Sequence, residues 1–211
     1  MVSAGLISCV QSSKSKPDLI DISTSKSTEN LKSQEPLTNH NDKYLDTKYE
    51  YTDTFGKSII IENSLPKGGL KYTSSNGKNY VYAIFWTRIT NETSNPFEFS
   101  VNFSSDSIKL PSQGDNYFKI YLPSDKMTID KKPSFNYGLT GLDSYLDKEL
   151  YKSSTRKVTI SPKDSNMFYV IILFDHGVDG VIRAGFSIKG ENLYYRINDK
   201  EIQCGQTNFN K

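Results

Sequence analysis

Short runs of alternating apolar and polar residues dominate the chain from residue 54 onward, and they constrain its fold more than any other feature. In "FEFSVNF" the apolar residues Phe97, Phe99, Val101 and Phe103 alternate with polar ones. Successive side chains of a β-strand point to opposite faces of a sheet, so this spacing predicts a strand with one buried and one exposed face. Gly, Pro, Asn, Asp and Ser separate this run from similar ones, which is typical of an all-β domain.

About nine such runs predict the strands of a two-sheet β-sandwich. They cover residues 57–63, 79–91, 97–103, 117–122, 156–160, 167–174, 181–188, 192–198 and 200–204. The segment "YVYAIFWTRITNETSNPFEFSVNF" resembles the strand, polar turn and strand of immunoglobulin-like bacterial domains, although the Cys, Trp, Cys pattern of antibody-type domains is absent. We therefore predict an all-β, immunoglobulin-like sandwich over residues 54–211.

One segment has helical spacing instead. Leu142, Leu146 and Leu150 recur every four residues in "TGLDSYLDKEL", which predicts a short helix with one apolar stripe. We expect this helix to cover one open end of the sandwich.

The longest predicted strand is rich in aromatic residues, among them Tyr80, Tyr82, Phe85 and Trp86. We predict that most of them fill the core, because aromatic side chains bury large apolar areas. The alternative is a carbohydrate-binding sandwich, which requires a coplanar row of exposed Tyr or Trp side chains.

Residues 10–53 are dominated by Ser, Thr, Lys, Asn, Gln and Asp. A stretch this polar buries too little apolar surface to offset its chain entropy. We predict a flexible linker that precedes the folded domain.

Charged side chains are mixed along the whole chain. The 26 Lys and Arg and 24 Asp and Glu residues give a net charge of +2. No segment builds the basic field that nucleic-acid binding needs, so we predict no nucleic-acid partner. No apolar run reaches the roughly 18 residues that cross a bilayer.

Cys9 and Cys204 are the only cysteines, and their distant positions exclude a disulfide framework or a paired-cysteine metal motif. Three roles remain for Cys9: a catalytic thiol, a disulfide partner of Cys204, or an attachment point. A catalytic thiol needs a nearby base and a fixed electropositive site, which the head of a flexible segment does not provide. A disulfide needs an oxidising compartment, whereas a buried free thiol is the commoner state in a strand-like run such as that of Cys204.

The residues that precede Cys9, namely Leu6, Ile7 and Ser8, resemble the lipobox of bacterial lipoproteins, which has leucine at minus three and a small residue at minus one. The resemblance implies that Cys9 carries a thioether-linked diacylglycerol that anchors the chain to a membrane. Eight residues precede Cys9 and none is Lys or Arg, so we interpret residues 1–9 as a truncated lipoprotein signal. In the family that the lipobox resembles, some lipoproteins that reach the outside of the cell carry an acidic cluster just after the cysteine. No acidic residue follows Cys9 before Asp18, so the resemblance implies an outer-membrane protein that faces the periplasm.

The segment "FDHGVDG" places Asp175, His176 and Asp179 in one loop. Carboxylates and imidazole are ligands for zinc and for hard metals, so this loop is a candidate metal site, and a metal-dependent hydrolase is an alternative function. The competing interpretation is a plain turn, because Asp and Gly are also the residues that a strand connection needs.

These features together predict a non-enzymatic, lipid-anchored cell-envelope protein without a cofactor. Its expected partners are the membrane, through lipid on Cys9, and an envelope protein or a glycan. The sequence points to no particular residues for binding that partner.

Overall fold

The computed structural model describes residues 42–209, which form two antiparallel sheets packed against each other. In chain order the strands are β1 (Leu45–Thr52), β2 (Ser58–Ser64), β3 (Lys67–Thr73), β4 (Asn79–Asn91), β5 (Phe97–Phe103), β6 (Ile108–Lys109), β7 (Tyr117–Tyr121), β8 (Ser154–Ile160), β9 (Ser165–Phe174), β10 (Ala184–Lys189), β11 (Asn192–Ile197) and β12 (Lys200–Thr207). The predicted all-β, two-sheet sandwich is confirmed. Three of the twelve strands, β1, β3 and β6, lie outside the nine predicted runs.

The larger sheet has seven strands in the order β1, β2, β4, β9, β7, β6, with β3 also paired to β4. Strand β4 is long enough for two partners on one edge, since β3 pairs with its residues 79–84 and β2 with its residues 87–91. The smaller sheet has five strands in the order β10, β11, β12, β5, β8. Strands β4 and β9 therefore form the centre of the larger sheet.

The main core lies between the two sheets. Along β5 the side chains of Phe97, Phe99, Val101 and Phe103 are buried and the polar ones between them are exposed, as the alternation predicts. These apolar residues belong to one hydrophobic cluster with residues of the larger sheet such as Ile172. Strand alternation thus determines which face of β5 points inward.

The helix α1 (Leu142–Glu149) does not lie where the sequence predicts it. Leu142, Leu146 and Leu150 pack on the outer face of the larger sheet, in a second hydrophobic cluster that includes Trp86 and Tyr169. The expectation that the helix covers one open end of the sandwich is wrong, because this sheet carries apolar side chains on both faces and the helix buries the outer one. No helix among residues 42–209 is long and apolar enough to cross a membrane.

The folded domain begins earlier than predicted. Strand β1 lies within the stretch 10–53 that composition assigns to the linker, yet it pairs with β2 and buries Tyr51 in the main core. The Tyr51 hydroxyl also accepts a hydrogen bond from the Ile188 backbone N–H at 2.8 Å. The boundary therefore lies before Leu45 and not at residue 54, whereas the predicted signal 1–9 and the rest of the linker, 10–41, fall outside the described residues.

Candidate functional site

The loop that follows β9 contains the three candidate metal ligands. Asp175 and His176 line a shallow groove of about 340 Å³ together with Lys71 and Lys78. The Asp175 carboxylate accepts an ion-paired hydrogen bond from Lys78 Nζ at 3.1 Å. Asp179 does not line this groove, so the structure brings only two of the three residues to one place.

Two side-chain amides hold the backbone of this loop. Asn116, which is 4% exposed, accepts a hydrogen bond from the His176 backbone N–H and donates to the carbonyl oxygens of His176 and Gly177. Gln113 accepts from the Asp179 backbone N–H at 2.8 Å and donates to the Asp179 carbonyl oxygen at 3.1 Å. These hydrogen bonds are made by backbone atoms of the loop. They favour its interpretation as a turn that the Asn116 and Gln113 side chains stabilise.

The described part of the chain, residues 42–209, contains no group of three or more His, Cys, Asp or Glu side chains arranged to hold a metal ion. The Asp175, His176 and Asp179 side chains therefore do not form the ligand set that a metal-dependent hydrolase at this loop requires.

Aromatic side chains of the central strand are sealed inside the protein. Exposure is between 0 and 6% for Tyr80, Tyr82, Phe85 and Trp86, which confirms their predicted place in the core. The most exposed aromatic side chains lie in three separate connecting segments, at Phe55, Phe135 and Tyr151. Neither the buried aromatic side chains of β4 nor these three separate exposed rings form the row of exposed rings that a carbohydrate-binding face requires.

Cys204 carries a free thiol that is buried in the core. It is the extra residue of a β-bulge, because the pairing of β11 with β12 steps from Leu193 opposite Gly205 to Tyr194 opposite Gln203. Its Sγ donates to the Leu193 carbonyl oxygen at 3.5 Å. Cys9, the predicted lipid attachment point, lies outside the described residues.

Burial raises the pKa of the Cys204 thiol to about 12, so we expect it to be unreactive in the folded protein. In a Cys9→Ser variant at pH 8, Ellman's reagent should detect one thiol only after denaturant is added. The neutral thiol stabilises the fold fully below the unfolded-state pKa of 9.0, and this contribution is lost as pH rises toward 12.

The control for this prediction is a Cys9→Ser, Cys204→Ala double variant, because buried tyrosines such as Tyr195 also have raised pKa values. Between pH 9 and 12 the free energy of unfolding of the double variant should decline less steeply than that of the Cys9→Ser variant. Rapid reaction of the native thiol at pH 8 would contradict the buried position of Cys204.

A second groove, of about 680 Å³, opens beside the first residues of β9. We call it the β9 groove, and its volume is within the range of ligand sites. Charged and polar side chains form much of its lining, among them Arg88, Asp125, Lys126, Arg156, Asp164 and Asn166. Two arginines from different sheets thus meet at one opening, since Arg88 belongs to β4 and Arg156 to β8.

The two arginines differ in their partners. Arg88 is ion-paired with Glu62 across β2 and β4. Arg156 is half-buried, lies 5.1 Å from the centre of the Phe168 ring and donates from Nη2 to the Pro123 carbonyl oxygen at 2.7 Å. Within residues 42–209 no carboxylate forms a salt bridge with Arg156, and burial lowers the pKa of its guanidinium. Its charge is therefore available to an external anion.

Asn166 adds an unused acceptor to the same groove. Its Oδ1 is shielded from solvent and has no hydrogen-bond partner among the described residues. Three other buried polar atoms share this state, at Trp86 Nε1, Asn136 Oδ1 and the Tyr195 hydroxyl. Unlike those residues, Asn166 borders the β9 groove, where a ligand could satisfy it.

Sequence reasoning missed this groove, although one signal was present. In "RKVTI", Arg156 occupies the same strand face as Val158 and Ile160, so alternation points a cation toward the core. Such a position requires a partner, which here is the Pro123 carbonyl oxygen and the Phe168 ring. The fold and this groove define the class of the protein as a two-sheet β-sandwich with a polar cleft at one side.

Comparison with known proteins adds no family to this class. No protein-family model matches the chain, and no curated protein sequence matches it.

Proposed function

We propose that this chain is a non-enzymatic, lipid-anchored protein of the bacterial cell envelope, and that its sandwich domain binds another protein. The observation that carries the anchor is the lipobox-like sequence Leu6, Ile7, Ser8 and Cys9, followed by a long polar stretch. Several acyl chains on one cysteine give stable attachment where a single chain is marginal. The polar residues 10–41 would then separate the domain from the outer membrane, on its periplasmic side.

Binding of a protein is favoured over binding of a glycan by the lining of the β9 groove. Its walls carry arginine, lysine, aspartate and asparagine side chains and no aromatic ring. Sugar sites generally stack pyranose faces on aromatic rings, whereas peptide sites combine main-chain hydrogen bonds with charged anchors. The sealed aromatic side chains of β4 further weaken the carbohydrate-binding alternative.

Metabolic labelling tests the anchor. Expressed from its native gene with the natural upstream sequence, the protein should incorporate radioactive palmitate and partition with membranes. Mass spectrometry should find a lipid-modified peptide that begins at Cys9, because signal removal exposes this residue.

The Cys9→Ser variant should lose the label entirely, while Cys204→Ser should keep it, since that thiol is buried in the domain. A wild-type protein that stays unmodified in the soluble fraction would overturn the anchor.

A further inference from the structure

We propose that the β9 groove binds an extended peptide that carries one carboxylate, which pairs with Arg156 while the peptide backbone aligns with the free edge of β9. This inference rests on the proposed protein-binding function and names the chemistry of the partner. The carboxylate comes either from an Asp or Glu side chain or from a C-terminus.

The charge requirement follows from Arg156. A guanidinium group has five N–H donors in a planar fork that matches the two oxygens of a carboxylate. Within residues 42–209 its one hydrogen-bond acceptor is the Pro123 carbonyl oxygen. The Phe168 ring lies against the guanidinium and keeps part of it from water, which strengthens pairing with an anion.

The rim of the groove limits how acidic the peptide can be. Asp125 and Asp164 line the opening and are exposed, while Lys126 supplies one exposed cation. A peptide with several carboxylates would meet these two like charges. A single carboxylate directed at Arg156 avoids this repulsion, so the groove selects one negative charge and not a polyanion.

The proposal that the peptide aligns with the edge of β9 follows from the way this strand is paired. Strand β4 pairs with β9 along residues 165–174, but on the opposite edge β7 pairs only with residues 171–174 and Lys126 forms a single bridge to Phe168. Residues 165–167 therefore lack a neighbouring strand on that side within the described chain. An extended peptide can add to such an edge through main-chain hydrogen bonds.

Asn166 lies at the free edge of β9 and on the same side of the sheet as the charge of Arg156. Asn166 and Phe168 are two residues apart in β9 and share one face of the strand. Because Arg156 lies over the Phe168 ring, the unpartnered Asn166 Oδ1 and the guanidinium lie on the same side of the sheet. A peptide N–H is the kind of donor that this shielded oxygen lacks.

Arg156 also has a plain structural explanation. Strand β8 is an edge strand of the smaller sheet, and an inward-pointing charge on an edge strand prevents pairing with other chains. That explanation predicts that removing the charge makes the protein self-associate and that no carboxylate binds. The two explanations therefore give different results in one titration.

The test is a nuclear magnetic resonance titration of the whole ¹⁵N-labelled chain with three N-acetylated tripeptides. Acetyl-Ala-Glu-Ala-amide offers a side-chain carboxylate, acetyl-Ala-Gln-Ala with a free carboxyl group offers a C-terminal one, and acetyl-Ala-Gln-Ala-amide offers none. We expect at least one charged peptide to shift the Arg156 Nε–H signal and the backbone amides of residues 165–167, and the neutral peptide to bind at least about tenfold more weakly. The stronger of the two charged peptides identifies the source of the carboxylate.

Two variants locate the interaction. Arg156→Gln should weaken binding of the charged peptide at least about tenfold, and Arg156→Lys should restore part of it because the charge returns without the fork. Arg183→Gln is the matched control, since this arginine is ion-paired with Asp46 and does not line the groove. It should bind like the wild type.

Four results would overturn the proposal. These are equal binding of the neutral peptide, no shift by any peptide at about 10 mM, self-association of Arg156→Gln without carboxylate binding by the wild type, or tighter binding of a galacturonic acid trimer at the same amides. The titration does not depend on the lipid. A failed palmitate experiment would leave it standing, and a failed titration would leave the anchor on Cys9 standing.

Discussion

Replacing Gly205 with alanine is expected to break the pairing between β12 and β5 and to lower the free energy of unfolding by at least about 3 kcal/mol. Gly205 lies opposite Val101, next to the bulge at Cys204. A Cβ atom at this position would lie 1.9 Å from the Ser100 carbonyl oxygen. Since that oxygen belongs to the backbone of a paired strand, the two strands would have to separate.

The consequence extends beyond one contact because β12 and β5 join the two halves of the smaller sheet. Strands β10, β11 and β12 lie on one side of this pairing, and β5 and β8 lie on the other. The pairing is short, with three residue pairs from Gly205 to Thr207. A shift of a few tenths of an ångström is not enough to accommodate the new methyl group.

Urea unfolding followed by circular dichroism measures this effect. Gly177→Ala is the matched control, because a Cβ there has no heavy atom within 4 Å. The control should stay within about 0.5 kcal/mol of the wild type. If Gly205→Ala is as stable as Gly177→Ala, the close approach of β12 to β5 is incorrect.

Replacing Asn63 with leucine is expected to lower the free energy of unfolding by about 3 kcal/mol, because it removes a polar link between the two sheets. Asn63 is 1% exposed and lies in β2. Its Nδ2 donates to the Phe186 carbonyl oxygen and its Oδ1 accepts from the Phe186 backbone N–H, at 3.0 and 2.9 Å. The Asn63 side chain thus pairs with both backbone groups of Phe186, as the backbone of a neighbouring strand would.

The amide of Asn63 also bonds within its own sheet. Nδ2 donates to Thr47 Oγ1 at 3.1 Å, and Oδ1 accepts from Thr87 Oγ1 at 3.0 Å. Leucine has a similar branched shape but cannot make these four bonds. Both backbone groups of Phe186 would then be buried without partners, and each such group costs about 1–3 kcal/mol.

Hydrogen exchange makes this prediction specific. The Phe186 amide should exchange faster in Asn63→Leu, beyond what the loss of global stability explains. Asn102→Ala is the control, since Asn102 is exposed on β5 and should change stability by less than about 0.5 kcal/mol. An Asn63→Leu protein as stable as this control would rule out a cross-sheet role for the amide.

Much of the sandwich was predictable because strand faces depend on local alternation. The buried side of β5 followed from spacing alone. The burial of the aromatic side chains of β4 followed from the large apolar area that such side chains bury. Strand β1 was missed because its residues between Leu45 and Thr52 are mostly polar, so composition hid their pairing with β2. The apolar stripe of α1 was predicted correctly, but the position of the helix was not. An apolar stripe indicates that one face of a helix is buried, but it does not indicate which surface buries that face.

The candidate site, like the fold, was predictable from the sequence only in part. Residue types in "FDHGVDG" suggested ligands, but the metal hypothesis needed three side chains at one point and the fold brings only Asp175 and His176 to a common groove. The β9 groove was not predicted because its parts come from separate stretches of the chain. Arg156 meets Pro123 and Phe168 only after β8, β9 and the segment after β7 have packed together.

The sequence by itself determined the all-β class, the inward face of β5 and the polar composition of the N-terminal stretch, because periodicity and composition act over a few residues. Only the tertiary structure decided which distant groups meet. Asn63 bonds to Phe186 across 123 positions, and the thiol of Cys204 is buried by a bulge that depends on β11. Such contacts depend on how strands are ordered in two sheets, and that order is set by packing of the whole core rather than by any local run of residues.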